Sequence, residues 1–174
     1  MPSAAEHVRS LTRSIPDFPS AGVDFKDLTP VLADGAALAA VADALVAPFA
    51  GEYDVIAGIE ARGFVLAAAA AARAGKGVVL IRKHGKLPGD THGEDYELEY
   101  GTDRLEVHVG QVPAGTRVLI VDDVLATGGT LAAAQTLVER AGWRVAGFSV
   151  VLELGFLGGR ARIAPRVPYA VVTA

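Results

Sequence analysis

Val118-Leu-Ile-Val-Asp122-Asp123-Val-Leu-Ala-Thr127-Gly128-Gly129-Thr130 runs from an apolar block straight into two carboxylates and a glycine pair. The block is short, aliphatic and free of polar interruption, as a strand buried on both faces is. The glycines, Thr130 and the Ala/Leu-rich run to residue 141 read as a loop that opens a helix. Strand, polar loop and helix in that order are the unit from which parallel α/β sheets are built. In such sheets the ligand crevice lies at the carboxyl ends of the strands. Backbone N–H groups, the Thr127 and Thr130 hydroxyls and a helix N-terminus all suit an anion such as phosphate. Gly128 and Gly129 permit close approach and positive φ. Asp122 and Asp123 are poor partners for phosphate oxygens but good acceptors for a vicinal diol, or indirect holders of hydrated Mg2+. A monophosphate cradle beside a diol-reading acid pair points to a ribose 5-phosphate.

Outward from this run, other short apolar blocks alternate with helical patterns. Residues 54–59, 78–81, 145–152 and 169–172 read as buried strands, and 105–109 alternates like a half-exposed one. Helices are expected over 1–14, 35–49 and 63–74, the last Ala-rich and stopped by Gly75. Pro16 and Pro19 leave 15–30 irregular. Over 84–103 the periodicity fails: Gly85, Pro88, Gly89, Gly93 and Gly101 sit among six acidic residues, as in a functional flap. The expected fold is α/β, a mainly parallel twisted sheet flanked by helices. One domain over 1–174 is expected, with a small hood at about 15–32 and a long flexible active-site loop at about 84–103.

Composition narrows the chemistry. The chain has 174 residues and no Cys, which removes thiol catalysis, CxxC redox chemistry and Cys-ligated metal sites. A net charge of −4 lacks the basic footprint of a nucleic-acid binder. The longest small-apolar run, 63–72, is ten residues, against the roughly 20 needed to span a membrane, and the first 14 residues hold no secretory core. A soluble, cytoplasmic protein is expected. A P-loop would need a Lys after the glycines, and no GxGxxG follows a strand. A phospho-receiver would need an Asp on a later strand, and none occurs after Asp123. The four His have no metal-ligand spacing, so no dedicated metal site is expected.

The run 121–130 resembles the 5-phosphoribosyl 1-pyrophosphate (PRPP) signature of the type I phosphoribosyltransferase family. Ile15-Pro-Asp-Phe-Pro19, Gly22-Val-Asp-Phe-Lys-Asp-Leu-Thr-Pro-Val-Leu32, Gly58-Ile-Glu-Ala-Arg-Gly-Phe64, Ile81-Arg-Lys-His-Gly-Lys-Leu-Pro88 and Leu98-Glu-Tyr-Gly-Thr-Asp103 match, in order, its adenine-using branch. The resemblance implies purine salvage: adenine plus PRPP giving AMP and pyrophosphate, with Mg2+ bound mainly through PRPP and water, in a homodimer.

By the same resemblance Asp122 and Asp123 face the ribose hydroxyls, and Ala126, Thr127, Gly128, Gly129 and Thr130 wrap the 5-phosphate. Glu60, Ala61 and Arg62 form the pyrophosphate loop, with a non-proline cis peptide expected between Ala61 and Arg62. Lys83 is a pyrophosphate contact, and Lys86 a further candidate on the flap. Glu99, beside Tyr100, assists proton movement on the purine. Phe25 stacks on the base, the backbone at Asp24 and Lys26 reads its edge, and Leu125 covers its other face. The family often has Arg where Lys26 stands, and Lys cannot form the same planar fork. Two alternatives stay open: a 6-oxopurine as the base, and a non-catalytic PRPP sensor.

Overall fold

In the computed structural model, which describes residues 1–97 and 101–174, the decisive run becomes the strand Arg117–Leu125 and the helix Gly129–Arg140. The helices are α1 (Ala4–Leu11), α2 (Thr29–Ala33), α3 (Gly35–Val46), α4 (Arg62–Ala74) and α5 (Gly129–Arg140). The strands are β1 (Arg13–Pro16), β2 (Asp24–Asp27), β3 (Val55–Ile59), β4 (Gly77–Lys83), β5 (Thr91–Glu97), β6 (Thr102–His108), β7 (Arg117–Leu125), β8 (Arg144–Glu153) and β9 (Tyr169–Thr173). Short 3-10 turns occupy Ala47–Phe49, Gly155–Leu157 and Gly159–Ile163.

The main sheet runs β5-β6-β4-β3-β7-β8-β9. Strands β4, β3, β7, β8 and β9 are mutually parallel, and the β5–β6 hairpin joins the β4 edge antiparallel. Burial on both faces explains the unbroken apolar runs of β3 and β7. Leu119 and Val121 pack toward α3 and α4, while Val118 and Ile120 pack beneath α5. Alanines let α4 approach closely: a Cβ on Gly58 would stand 2.7 Å from both the Ala67 methyl and the Gly63 carbonyl oxygen. That approach brings the first turn of α4 beside the end of β7.

Several expectations change. The N-terminal helix is shorter than 1–14, and the stretch called irregular contains the β1–β2 hairpin. Its β1 residues are all exposed, so no core imprints a period on them. The 84–103 stretch is not a loop throughout. Among its described residues, 91–97 form β5 and 102–103 begin β6, while 84–90 and Gly101 lie outside the strands. The non-proline cis peptide is Glu60–Ala61, one bond earlier than expected. No described helix is long and apolar enough to cross a membrane.

Candidate active site

Asp122 and Asp123 close the unbroken buried run of β7, each 8% exposed. Their Oδ1 atoms accept from the next backbone N–H, Asp122 from Asp123 and Asp123 from Val124, both at 2.9 Å. Asp122 rests against α4, where a Cβ on Gly63 would stand 3.0 Å from its Oδ1. Burial, and then the negative charge of Asp123, push the Asp122 carboxyl well above the ordinary aspartate range. The Oδ2 of Asp123 is buried without a well-angled hydrogen bond, 2.5 Å from Nε of Arg62. A buried acid pair with so few donors of its own suits a ligand that brings hydroxyls or a hydrated cation.

The same Arg62 guanidinium lies 5.5 Å from the centroid of the Phe25 ring, a cation–π approach. Phe25 is half-buried on β2 and meets Phe18 edge-on, ring centroids 5.3 Å apart. The β1–β2 hairpin thus delivers an aromatic face to the acid pair. Next to the pair, residues 124–131 line a small concavity of about 60 Å³. Gly128 has φ +84°, and a Cβ there would run into the Gly159 carbonyl; conversely, a Cβ on Gly159 would meet Ala126 O and Gly128 N. The loop is therefore shaped by backbone against backbone, leaving its N–H groups at the start of α5 available to an anion.

On the far side, Glu60 Oε2 accepts from the Lys83 backbone N–H at 2.9 Å and receives Arg82 Nε at 3.3 Å. Lys83 Nζ pairs with Asp103 at 2.9 Å, and the Tyr96 hydroxyl donates to the same carboxylate at 3.2 Å. Tyr96 also stands beside Thr130; burial and the Asp103 charge push its hydroxyl up to about 12. Among the described residues, no three His, Asp or Glu side chains converge as a protein metal cage requires.

A family model described as the phosphoribosyl transferase domain matches residues 24–170. A curated adenine phosphoribosyltransferase of Renibacterium salmoninarum is 59% identical over 162 residues, 93% of this chain and 89% of that protein. One from Clavibacter sepedonicus is 58% identical, covering 98% of this chain and 89% of its own length. The chain belongs to the adenine phosphoribosyltransferase family. Its fold agrees: the family's Thermoanaerobacter pseudethanolicus crystal structure superposes with a TM-score of 0.93 at 45% identity, covering 98% of this chain and 99% of that one. The Saccharomyces cerevisiae family member, complexed with D-2,5-dideoxy-2,5-imino-altritol 1,6-bisphosphate and adenine, gives 0.91 at 36% identity, covering 97% and 98%.

Within this adenine phosphoribosyltransferase fold, Asp122, Asp123, Arg62, Phe25 and the 126–130 loop form one connected site. Lys83 joins through Asp103 and Tyr96. Leu125 departs from expectation, and the remaining expected residues take the following positions. Leu125 is 1% exposed, buried in the core beneath α5 with its methyl toward Gly159, so it does not present a face to a base. The edge-reading expected of Asp24 and Lys26 belongs to their backbone, and the Lys26 ammonium is engaged apart from it, by Ser14 and Asp24, both at 2.7 Å. Ala61, Asp24 and Lys86 are exposed; the Lys86 carbonyl oxygen accepts from Arg82 at 3.1 Å and its N–H donates to the Lys83 carbonyl at 3.3 Å. Glu60 faces β4, as the anchor of Lys83. Glu99 and Tyr100 lie outside the described residues. Sequence reasoning missed Tyr96, Asp103 and Gly159. Alternation over 105–109 marked the strand that carries Asp103; Tyr96, on β5, had no such signal, and Gly159 none beyond its neighbouring glycine.

Proposed function

We infer that this chain transfers the 5-phosphoribosyl group of PRPP to adenine, giving AMP and pyrophosphate. The observation that carries the reading is the buried Asp122–Asp123 pair running directly into a backbone-lined anion cradle, with Arg62 bridging the pair to the Phe25 ring. Phosphate, diol and aromatic base are thereby addressed in the order in which AMP joins them. The yeast relative's bisphosphate and adenine complex supports the same substrate pairing.

In this reading the N–H groups of 126–130 and the Thr127 and Thr130 hydroxyls hold the 5-phosphate. Asp122 and Asp123 accept from the ribose hydroxyls, and the negative charge that the pair retains favours the cation-like C1′ that develops as pyrophosphate leaves. Arg62 and Lys83 receive the leaving pyrophosphate, with Glu60 fixing the Lys83 backbone. Phe25 stacks on adenine. Glu99, with Tyr100 beside it, assists the purine's proton movement, by resemblance alone. A carboxylate pair without a third protein ligand fits Mg2+ carried on PRPP oxygens and water, where the ion would neutralise charge on the pyrophosphate. Residues 15–32 act as a hood and 84–103 as a flap that excludes water during transfer, within one domain spanning 1–174. Homodimeric assembly and a cytoplasmic, purine-salvage setting complete the proposal.

The test is AMP formation from PRPP and Mg2+ with adenine, beside parallel reactions with hypoxanthine, guanine, xanthine and orotate. Turnover confined to adenine is expected. Turnover only with a 6-oxopurine would overturn the assignment around Phe25 and leave the 122–130 assignment standing. PRPP binding without turnover on any base would make the protein a sensor.

A further inference from the structure

Lys83, Asp103 and Tyr96 form a row across three neighbouring strands. β4 and β6 pair with Lys83 opposite Leu105, so Asp103, two residues before Leu105, shares that residue's face of the sheet. Tyr96 on β5 pairs directly with Asp103. One carboxylate oxygen, Asp103 Oδ2, serves both neighbours, 2.9 Å from the Lys83 ammonium and 3.2 Å from the Tyr96 hydroxyl; Oδ1 accepts from the Arg104 N–H at 2.8 Å. The Tyr96 end of the row lies at the phosphate loop, its ring 4.0 Å from where a Cβ on Gly129 would stand. A negative side chain therefore stands between the phosphate loop and the lysine read as a pyrophosphate ligand. For a polyanionic substrate that placement is unfavourable, unless the carboxylate has a task of its own.

We propose that Asp103 sets the affinity for PRPP and pyrophosphate by competing with them for the Lys83 ammonium. In the unliganded protein the carboxylate holds Lys83. The incoming pyrophosphate group takes the ammonium over, and Asp103 reclaims it as the product leaves. Both substrate and product then bind less tightly than Lys83 alone would allow, and pyrophosphate release is eased. The pair is half-exposed, with side chains 51% and 23% accessible, so the competition is worth about two- to fivefold in binding. The proposal rests on the reading of Lys83 as a pyrophosphate ligand.

The experiment is a double-mutant cycle on Asp103→Asn and Lys83→Met. Mg2+–pyrophosphate and Mg2+–PRPP binding are measured by calorimetry, and the KM values for PRPP and adenine by steady-state kinetics. Asp103→Asn should tighten both ligands by about two- to fivefold, lower the KM for PRPP and leave that for adenine unchanged. The gain should vanish in the Lys83→Met background and shrink at high salt, and Asp103→Glu should restore the original affinity. Asp103→Ser replaces Asn if the amide disturbs the hairpin. No change or weaker binding in Asp103→Asn, while Lys83→Met weakens binding, overturns the proposal and leaves the Lys83 reading standing. Equal tightening in both backgrounds also overturns it, because Asp103 would then act without Lys83. If Lys83→Met changes nothing, the Lys83 reading falls and the proposal with it.

Discussion

Arg62 Nε lies 2.5 Å from Asp123 Oδ2, so the first residue of α4 is tied to the acidic end of β7. The guanidinium is also within cation–π distance of Phe25, which makes Arg62 the piece shared by the acid pair and the aromatic hairpin. The contact runs from the guanidinium Nε, a nitrogen for which Lys has no counterpart.

Arg62→Lys should therefore keep the charge and lose the geometry. A drop of roughly thirtyfold in kcat/KM for PRPP is expected, the loss of about 2 kcal/mol from one charged hydrogen bond to the pyrophosphate. Steady-state kinetics with saturating adenine would show it. A change within twofold would mean that charge alone suffices.

Phe25→Ala should act on the other substrate. Loss of a base-stacking ring costs about 1–3 kcal/mol, so the KM for adenine should rise at least fivefold, with PRPP binding less affected. Separate titrations of the two substrates distinguish this from general damage to the β1–β2 hairpin, which would weaken both.

Gly128→Ala places a methyl against the Gly159 carbonyl at φ +84°. A loss of about 1–3 kcal/mol of stability is expected, together with at least tenfold weaker PRPP binding. Gly159→Ala strikes the same contact from the other side. The double variant should therefore lose less than the sum of the two, a coupling readable from urea midpoints.

Glu153 sets an acid limit. It is 4% exposed, and its hydrogen bonds from Arg160, two at 2.5 Å, hold the carboxyl below the ordinary value of 4.5. A depressed carboxyl stabilises the fold above its unfolded pKa and loses that contribution as pH falls through the folded one. Glu153→Gln should lower stability at neutral pH and flatten the decline below about pH 4.5. Urea midpoints between neutral pH and about pH 3 would show both effects; a parallel decline in the two proteins would contradict the assignment.

Much of this architecture was legible in the sequence because strands buried on both faces and helices with capped ends announce themselves. β3, β7, β8 and α5 fall within a few residues of where their apolar runs place them. The acid pair and its glycine loop were legible for another reason: two adjacent carboxylates at a strand end have no use in a core. The 84–103 stretch was misread because β5 carries no core-facing row; its residues are half-buried or exposed throughout, so no period of two appears. Leu125 was assigned by resemblance alone; past the two carboxylates the strand's faces exchange, so Val124 joins Leu119 and Val121 on the α3–α4 side and Leu125 falls beneath α5. The peptide bond that adopts cis near Arg62 leaves no trace in residue types.

The backbone contact between Gly128 and Gly159 also bears on the order of synthesis. A nascent chain that has just delivered residue 130 already holds both carboxylates and every N–H of the loop. It lacks the turn against which that loop is moulded, and it lacks β8, the strand that pairs with β7 on that side. On the ribosome, the capacity to grip a phosphate is therefore among the last properties the molecule acquires, and an unfinished polypeptide does not sequester substrate.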